Sequence, residues 1–161
     1  MQRRILDAAR RVFARRGYTD ATVAEIVAEA ESSVGSVYHH FGDKDGLFNA
    51  VADEIRDDVN THVDPDRLVH SYLRAVWPHQ DIMRVLMSPD TPTSFSLRDC
   101  AYDMLSKAAS TGNQRADRVI TAMVLEAVQM ALESDSVYEV DSVADDVAHW
   151  VDVVREAVPR P

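Results

Sequence analysis

The sequence holds one cysteine, five glycines and six prolines in 161 residues, and each scarcity excludes something. A lone thiol, Cys100, rules out an internal disulfide framework and predicts a small buried hydrophobe rather than a redox centre. No apolar run approaches the ~20 residues that span a bilayer, and the N-terminus lacks a signal-peptide core. These features predict a cytoplasmic protein. Also missing are a Gly-rich phosphate loop, CxxC, H-E-x-x-H and G-x-S-x-G, so no common enzyme class finds its signature. Asp57 with Asp58 and Asp145 with Asp146 are adjacent pairs that leave a helix in different directions, and they read as solvated faces. The chain is predicted to be no enzyme and to need neither metal nor cofactor.

Basic charge is scarce as well, with a net charge of −10. Its distribution matters more than its sum. Residues 1–48 hold seven Lys/Arg and seven Asp/Glu, whereas residues 49–161 hold ten and twenty. The acidity therefore belongs to the second part. A neutral, Arg-rich first part can still present a basic face, because affinity for nucleic acid depends on charges near the phosphates.

What is present is helical periodicity, almost without interruption. Ile5, Ala9, Val12 and Phe13 form one stripe of a first helix, with Arg3, Arg4, Arg10, Arg11 and Arg15 opposite and Gly17 placed to end it. Thr22 and Glu25 form a capping box for a second helix that buries Val23, Ile26, Val27 and Ala30. Ser32 and Ser33 interrupt the pattern, and Ser33 caps a short third helix to about Phe41, with Val34, Val37 and Phe41 as inward candidates. Gly42 closes it and Asp43 caps a fourth helix, from Lys44 to about Thr61, lined by Leu47, Val51, Ile55 and Val59. Asp64-Pro65 opens a fifth helix that Trp77-Pro78 ends or kinks. A short helix near 79–88 follows, then the P-D-T-P loop, then helices over roughly 93–110, 115–134 and 141–158. The count is about nine, and the fold class is all-α.

The second and third helices are short, apposed and preceded by a longer amphipathic one. That is the layout of a helix-turn-helix, whose second helix can enter a DNA major groove. Near the other end, the helix from Val119 to Leu132 is apolar on more than one side, which predicts burial within the chain and against a second copy.

The I-L-D-A-A-R-R-V-F-A-R-R-G-Y lead-in, the T-V-A-E-I-V capping segment and S-V-G-S-V-Y-H-H-F-G-D-K-D-G-L-F together resemble the TetR family of bacterial transcriptional regulators. The resemblance is close from about Ile5 to Phe48. The remaining two-thirds shares only an all-helical layout. It implies residues 1–46 as a three-helix DNA-binding domain and residues 47–161 as a helical effector-binding and dimerisation domain. It further implies a homodimer, built through about 115–134 and 141–158. The partner would be a palindromic or pseudo-palindromic double-stranded operator, read by two heads roughly 34–36 Å apart. The function implied is repression, relieved by a small, largely apolar effector, with no role at a membrane. Three features depart from the family pattern: Glu31 and Ser32 in the turn, Val34 where relatives often carry Lys or Arg, and the lack of a basic N-terminal arm. They predict modest affinity for DNA, and they keep a second reading open, a helical small-molecule sensor that no longer binds DNA specifically.

Residue roles follow from the same alignment of parts. Thr22 caps its helix and can offer hydroxyl and backbone N–H to a phosphate. Ser33 and Ser36 are small donors, and Gly35 leaves room for close approach to a base. Tyr38 suits a phosphate, His39 a guanine edge or thymine methyl, and Lys44 a phosphate charge. For the effector, Tyr72, Val76, Met83, Met87, Phe95, Met104 and Met123 are the expected cavity residues, since Met and aromatic side chains make adaptable apolar pockets.

Overall fold

A computed structural model describes residues 1–88, 91–92 and 111–157. Among these the chain forms eight α-helices, and no strand occurs. They are α1 (Gln2–Asp20), α2 (Val23–Glu29), α3 (Val34–Phe41), α4 (Lys44–His62), α5 (Leu68–Val76), α6 (Gln80–Leu86), α7 (Gln114–Glu133) and α8 (Val137–Ala157). Short 3₁₀ turns at Pro65–Arg67 and Trp77–His79 flank α5. The expected helix over 93–110 lies outside the described residues.

Helix ends fall where the capping chemistry puts them. Gly17 breaks the regular course of α1 with φ +75°. The Thr22–Glu25 box is complete: Thr22 Oγ1 accepts from the Glu25 amide at 3.2 Å, and the Thr22 amide donates to Glu25 Oε2 at 3.2 Å. Ser33 Oγ accepts from the Ser36 amide, and Asp43 Oδ1 accepts from the Gly46 amide at 2.7 Å. Asp64 caps the first 3₁₀ turn, so the expected fifth helix is preceded by one tight turn before α5 proper.

The described residues divide into two compact units. The first comprises 1–57, 81–88 and 91–92. Its core is built from Ile5, Ala9, Val12 and Phe13 of α1, Ile26 of α2, Val37 of α3, and Leu47, Phe48 and Val51 of α4, all essentially inaccessible. Phe13 and Phe48 meet edge to face with centroids 5.0 Å apart, a geometry that contributes about 0.5–1.5 kcal/mol beyond simple burial. Val34 departs from expectation. It stands at the first position of α3, where the chain has not yet turned toward the core, and is 44% exposed.

The second unit comprises 58–80 and 111–157. Here α5, α7 and α8 pack on one another. Leu68, Val69, Tyr72, Leu73 and Val76 of α5 lie against the inward stripes of α7 (Ile120, Val124, Ala127, Val128, Ala131) and α8 (Val140, Ala144, Val151). The last helix begins at Val137, four residues before the expected 141. A cap at Ser136 explains the difference: the Glu139 amide donates to Ser136 Oγ at 3.3 Å, and Glu139 Oε2 reaches back to accept from the Asp135 amide at 2.9 Å.

Candidate nucleic-acid interface and effector cavity

α2 and α3 are joined by four residues, Ala30 to Ser33, and Glu31 takes the sharp bend with φ +47°. An L-residue in that region is strained by roughly 1–2 kcal/mol. Ser32 is packed into the same turn with its hydroxyl buried and unpartnered. Behind the turn, every arginine of α1 has an acidic partner. Arg11 and Arg15 both bind Glu29, at 2.6 and 2.7 Å, and hold its carboxyl below the usual range. Arg4 pairs with Glu31, Arg16 with Glu25, Arg10 with Asp81, and Arg3 with Asp7 and Glu54. The α1 arginines thus fasten the three-helix unit, and the cationic face expected from their number is largely neutralised within it.

α3 presents the open surface. Tyr38 is 55% exposed, and Ser33, Val34, Gly35, His39 and His40 are exposed with it. Ser33 and Ser36 are tied to each other, Oγ to Oγ at 3.0 Å, and Ser36 also reaches Met1 Sδ. A Cβ on Gly35 would meet only Ser33 Oγ, at 3.9 Å, so nothing within the chain requires glycine there. His39 and His40 stack edge to face at 4.9 Å. Lys44 is anchored: its ammonium donates to the Thr19 carbonyl at 3.1 Å and lies 4.5 Å from the centre of the Tyr18 ring. Tyr18 in turn hydrogen-bonds Asp45, and burial together with that carboxylate pushes its phenol up to about 12. Thr22, exposed, stands at the amino end of α2.

Gly46 was not singled out by spacing, yet it sets the corner between α3 and α4. An added Cβ would collide with the Phe41 carbonyl oxygen, so only glycine lets α4 start this close to the end of α3. The signal was present in the G-D-K-D-G string, but a glycine needed for close approach looks the same in sequence as a tolerated one.

In the second unit a cavity of about 510 Å³ opens among the described residues. Asp58, His62, Asp64, Arg67, His70, Ser71 and Arg74 line it, with Ala75 and Pro78. It is a polar site. Arg74 and His70 are steadied from α8, by Asp141 and by Asp145 at 2.7 Å respectively. Nearby, His79 is buried with Nε2 on Asp58 at 2.8 Å while its Nδ1 and the indole N–H of Trp77 find no partner. Of the expected effector residues that are described, none lines this cavity or the one of about 270 Å³ beside α7 and α8. Tyr72, Val76 and Met83 are buried in core, Met87 and Met123 are half-buried, and Phe95 and Met104 lie outside the described residues.

A capped three-helix unit with a short exposed second helix after a tight turn defines a helix-turn-helix protein of the all-α class. Residues 5–51 match the family model described as bacterial regulatory proteins, tetR family. Over these residues the chain is similar to the TetR family of bacterial regulatory proteins. It is 51% identical over 53 residues to the HTH-type transcriptional repressor Rv1474c of Mycobacterium tuberculosis, covering 33% of this chain and 28% of that one. It is 50% identical over 50 residues to the HTH-type transcriptional repressor AcnR of Corynebacterium glutamicum, covering 31% and 27%. The matched segment thus spans less than a third of either repressor. Across nearly its whole length the fold is that of a TerR/AcrR-family transcriptional regulator from Aquifex aeolicus VF5, with a TM-score of 0.71 at 16% identity over 95% of this chain and 98% of that one. Among the described residues no helix is long and apolar enough to cross a membrane.

Proposed function

We propose that the protein is a transcriptional repressor that binds operator DNA as a homodimer and is released when a small molecule occupies its second unit. The observation that carries this is α3, a helix capped at Ser33 and Gly42 and carrying exposed Val34, Gly35, Tyr38 and His39 on a unit matched to a DNA-binding family. Contacts to phosphate come from Thr22 with the backbone N–H groups of α2, from Tyr38 and from Lys44; base contacts come from His39. Lys44 acts from a fixed position, held by Tyr18 and Thr19.

Dimerisation is supported by the outward faces of the last two helices. Val119 and Met130 on α7, and Trp150 and Val153 on α8, are each between 41% and 57% exposed. Large apolar side chains concentrated there suit a four-helix bundle made with a second copy. The hydrogen-bonding side chains that line the cavity, Arg67, His70 and Arg74 among them, support an effector with polar groups over a purely apolar one.

The test is retention of DNA from the region upstream of its own gene at two salt concentrations, beside His39→Ala and Lys44→Ala. Wild type is expected to bind one fragment tightly with a steep salt dependence, and both variants to weaken it. Absence of binding at low salt would favour a helical small-molecule sensor without DNA specificity, a reading that the internal pairing of the α1 arginines also supports.

A further inference from the structure

On the first unit, the exposed large apolar side chains among the described residues are Met1, Val34 and Tyr38. Two of the three therefore sit on α3, and they are four positions apart, on one face of one turn of helix. Val34 is only partly covered by the chain: it is 44% exposed and stands beside Gly35, whose missing side chain leaves the approach to it open.

The polar groups of this turn are occupied elsewhere. Ser33 Oγ accepts from the Ser36 amide, and the two hydroxyls are hydrogen-bonded to each other. The amino end of α3 therefore offers an outer surface more apolar than its sequence suggests. In a helix-turn-helix the amino-terminal residues of the second helix are the ones that meet base edges. The major groove offers one apolar group to such a residue, the C5-methyl of thymine.

We propose that Val34 reads a thymine methyl in each half-site, with Gly35 giving the clearance and Tyr38, one turn on, flanking the contact. The assignment rests on the DNA-binding reading above and adds a sequence preference to it. Removing the methyl removes one buried apolar carbon, worth a roughly fourfold loss of affinity per half-site.

The experiment uses the full chain and duplexes selected by it from a randomised pool. Each thymine of the enriched sequence is replaced in turn by deoxyuridine, which lacks only the methyl group, and binding is measured by anisotropy for wild type and Val34→Ala. The expected result is one symmetry-related thymine at which deoxyuridine weakens wild type about fourfold per half-site, with Val34→Ala binding both duplexes equally. Indifference of wild type to deoxyuridine at every thymine overturns the proposal, as does a Val34→Ala protein that retains the full discrimination. Failure of wild type to enrich any sequence overturns the DNA-binding reading itself, and is distinguished by appearing before any base is changed. Circular dichroism of Val34→Ala checks that this exposed substitution leaves the helices intact.

Discussion

Arg74 grips Asp141 with two parallel hydrogen bonds of 2.6 Å, Nε to Oδ1 and Nη2 to Oδ2, joining α5 to α8. The fork holds the Asp141 carboxyl below its ordinary value, through the Arg74 hydrogen bonds first and the charges of Arg74, His70 and Arg67 after them. The sign of the consequence is definite. A carboxylate depressed in the folded state contributes stability at neutral pH, and the contribution disappears as pH falls below about 3.8 and through the lower folded value. Arg74→Ala should therefore lower the urea midpoint modestly at pH 7, as an exposed pair does, with the gap to wild type closing in acid. Arg74→Lys keeps the charge but loses the fork, and should fall between the two. A gap that stays unchanged throughout the acid limb, to the lowest pH at which wild type stays folded, would show that Arg74 acts through its packing alone.

The corner at Gly46 carries a sharper expectation. Gly46→Ala puts a methyl group into the Phe41 carbonyl, and neither backbone can move without shifting α3 against α4. Overpacking of this kind costs roughly 1–3 kcal/mol. Operator affinity should fall along with thermal stability, because α3 is the element displaced. Gly35→Ala is the matched control, since its added Cβ meets nothing closer than 3.9 Å in the chain. It should keep or raise stability, and any loss of DNA binding it shows would arise at the DNA.

Ser32 offers a test in the opposite direction. Its hydroxyl is buried in the turn between α2 and α3 without a hydrogen-bond partner. An unpaired buried polar group costs about 1–3 kcal/mol, so Ser32→Ala should leave stability unchanged or raise it by up to that amount. The measurement is the denaturation midpoint. A loss of more than a few tenths of a kcal/mol would show that the hydroxyl is satisfied in solution.

The elements legible in the sequence were those announced by local chemistry. The Thr22–Glu25 box, Gly42 and Asp43 each ended or began a helix where the spacing put it, because capping involves neighbours within a few residues, whereas Gly17 kinks α1 short of its end at Asp20 and Asp64-Pro65 opens a 3₁₀ turn ahead of α5. The Ser136 cap carried the same information for α8 and was hidden by the neighbouring serines and acids. Val34 was misplaced because it falls on the apolar stripe with Val37 and Phe41, and periodicity cannot tell that the first turn of a short helix overhangs the core. The α1 arginines were legible as a stripe, but their partners lie up to 71 positions away, as with Arg10 and Asp81. For the effector, Tyr72, Val76 and Met83 have the composition of a pocket and the burial of a core. The cavity is instead lined by Asp58, His62, Arg67 and Arg74, brought together by a tight turn that composition does not reveal.

Trp150 gives the strongest test of the assembled protein. Its indole is 57% exposed on α8, in the company of Val153 at 41%, while Val119 and Met130 show 49% each on α7. A charge placed there costs the monomer little, because the site already faces water, but in a bundle with a second copy it would be buried without a partner. Trp150→Glu is therefore expected to run at the mass of one chain in sedimentation equilibrium where wild type runs at two, with the helical signal in circular dichroism unchanged. Operator binding should weaken far more than loss of any one α3 contact would bring, because two heads held together act at a high effective concentration and separate heads do not. If the variant stays dimeric, the second copy docks elsewhere. If wild type is itself a monomer that binds DNA, the half-site alone is the unit read.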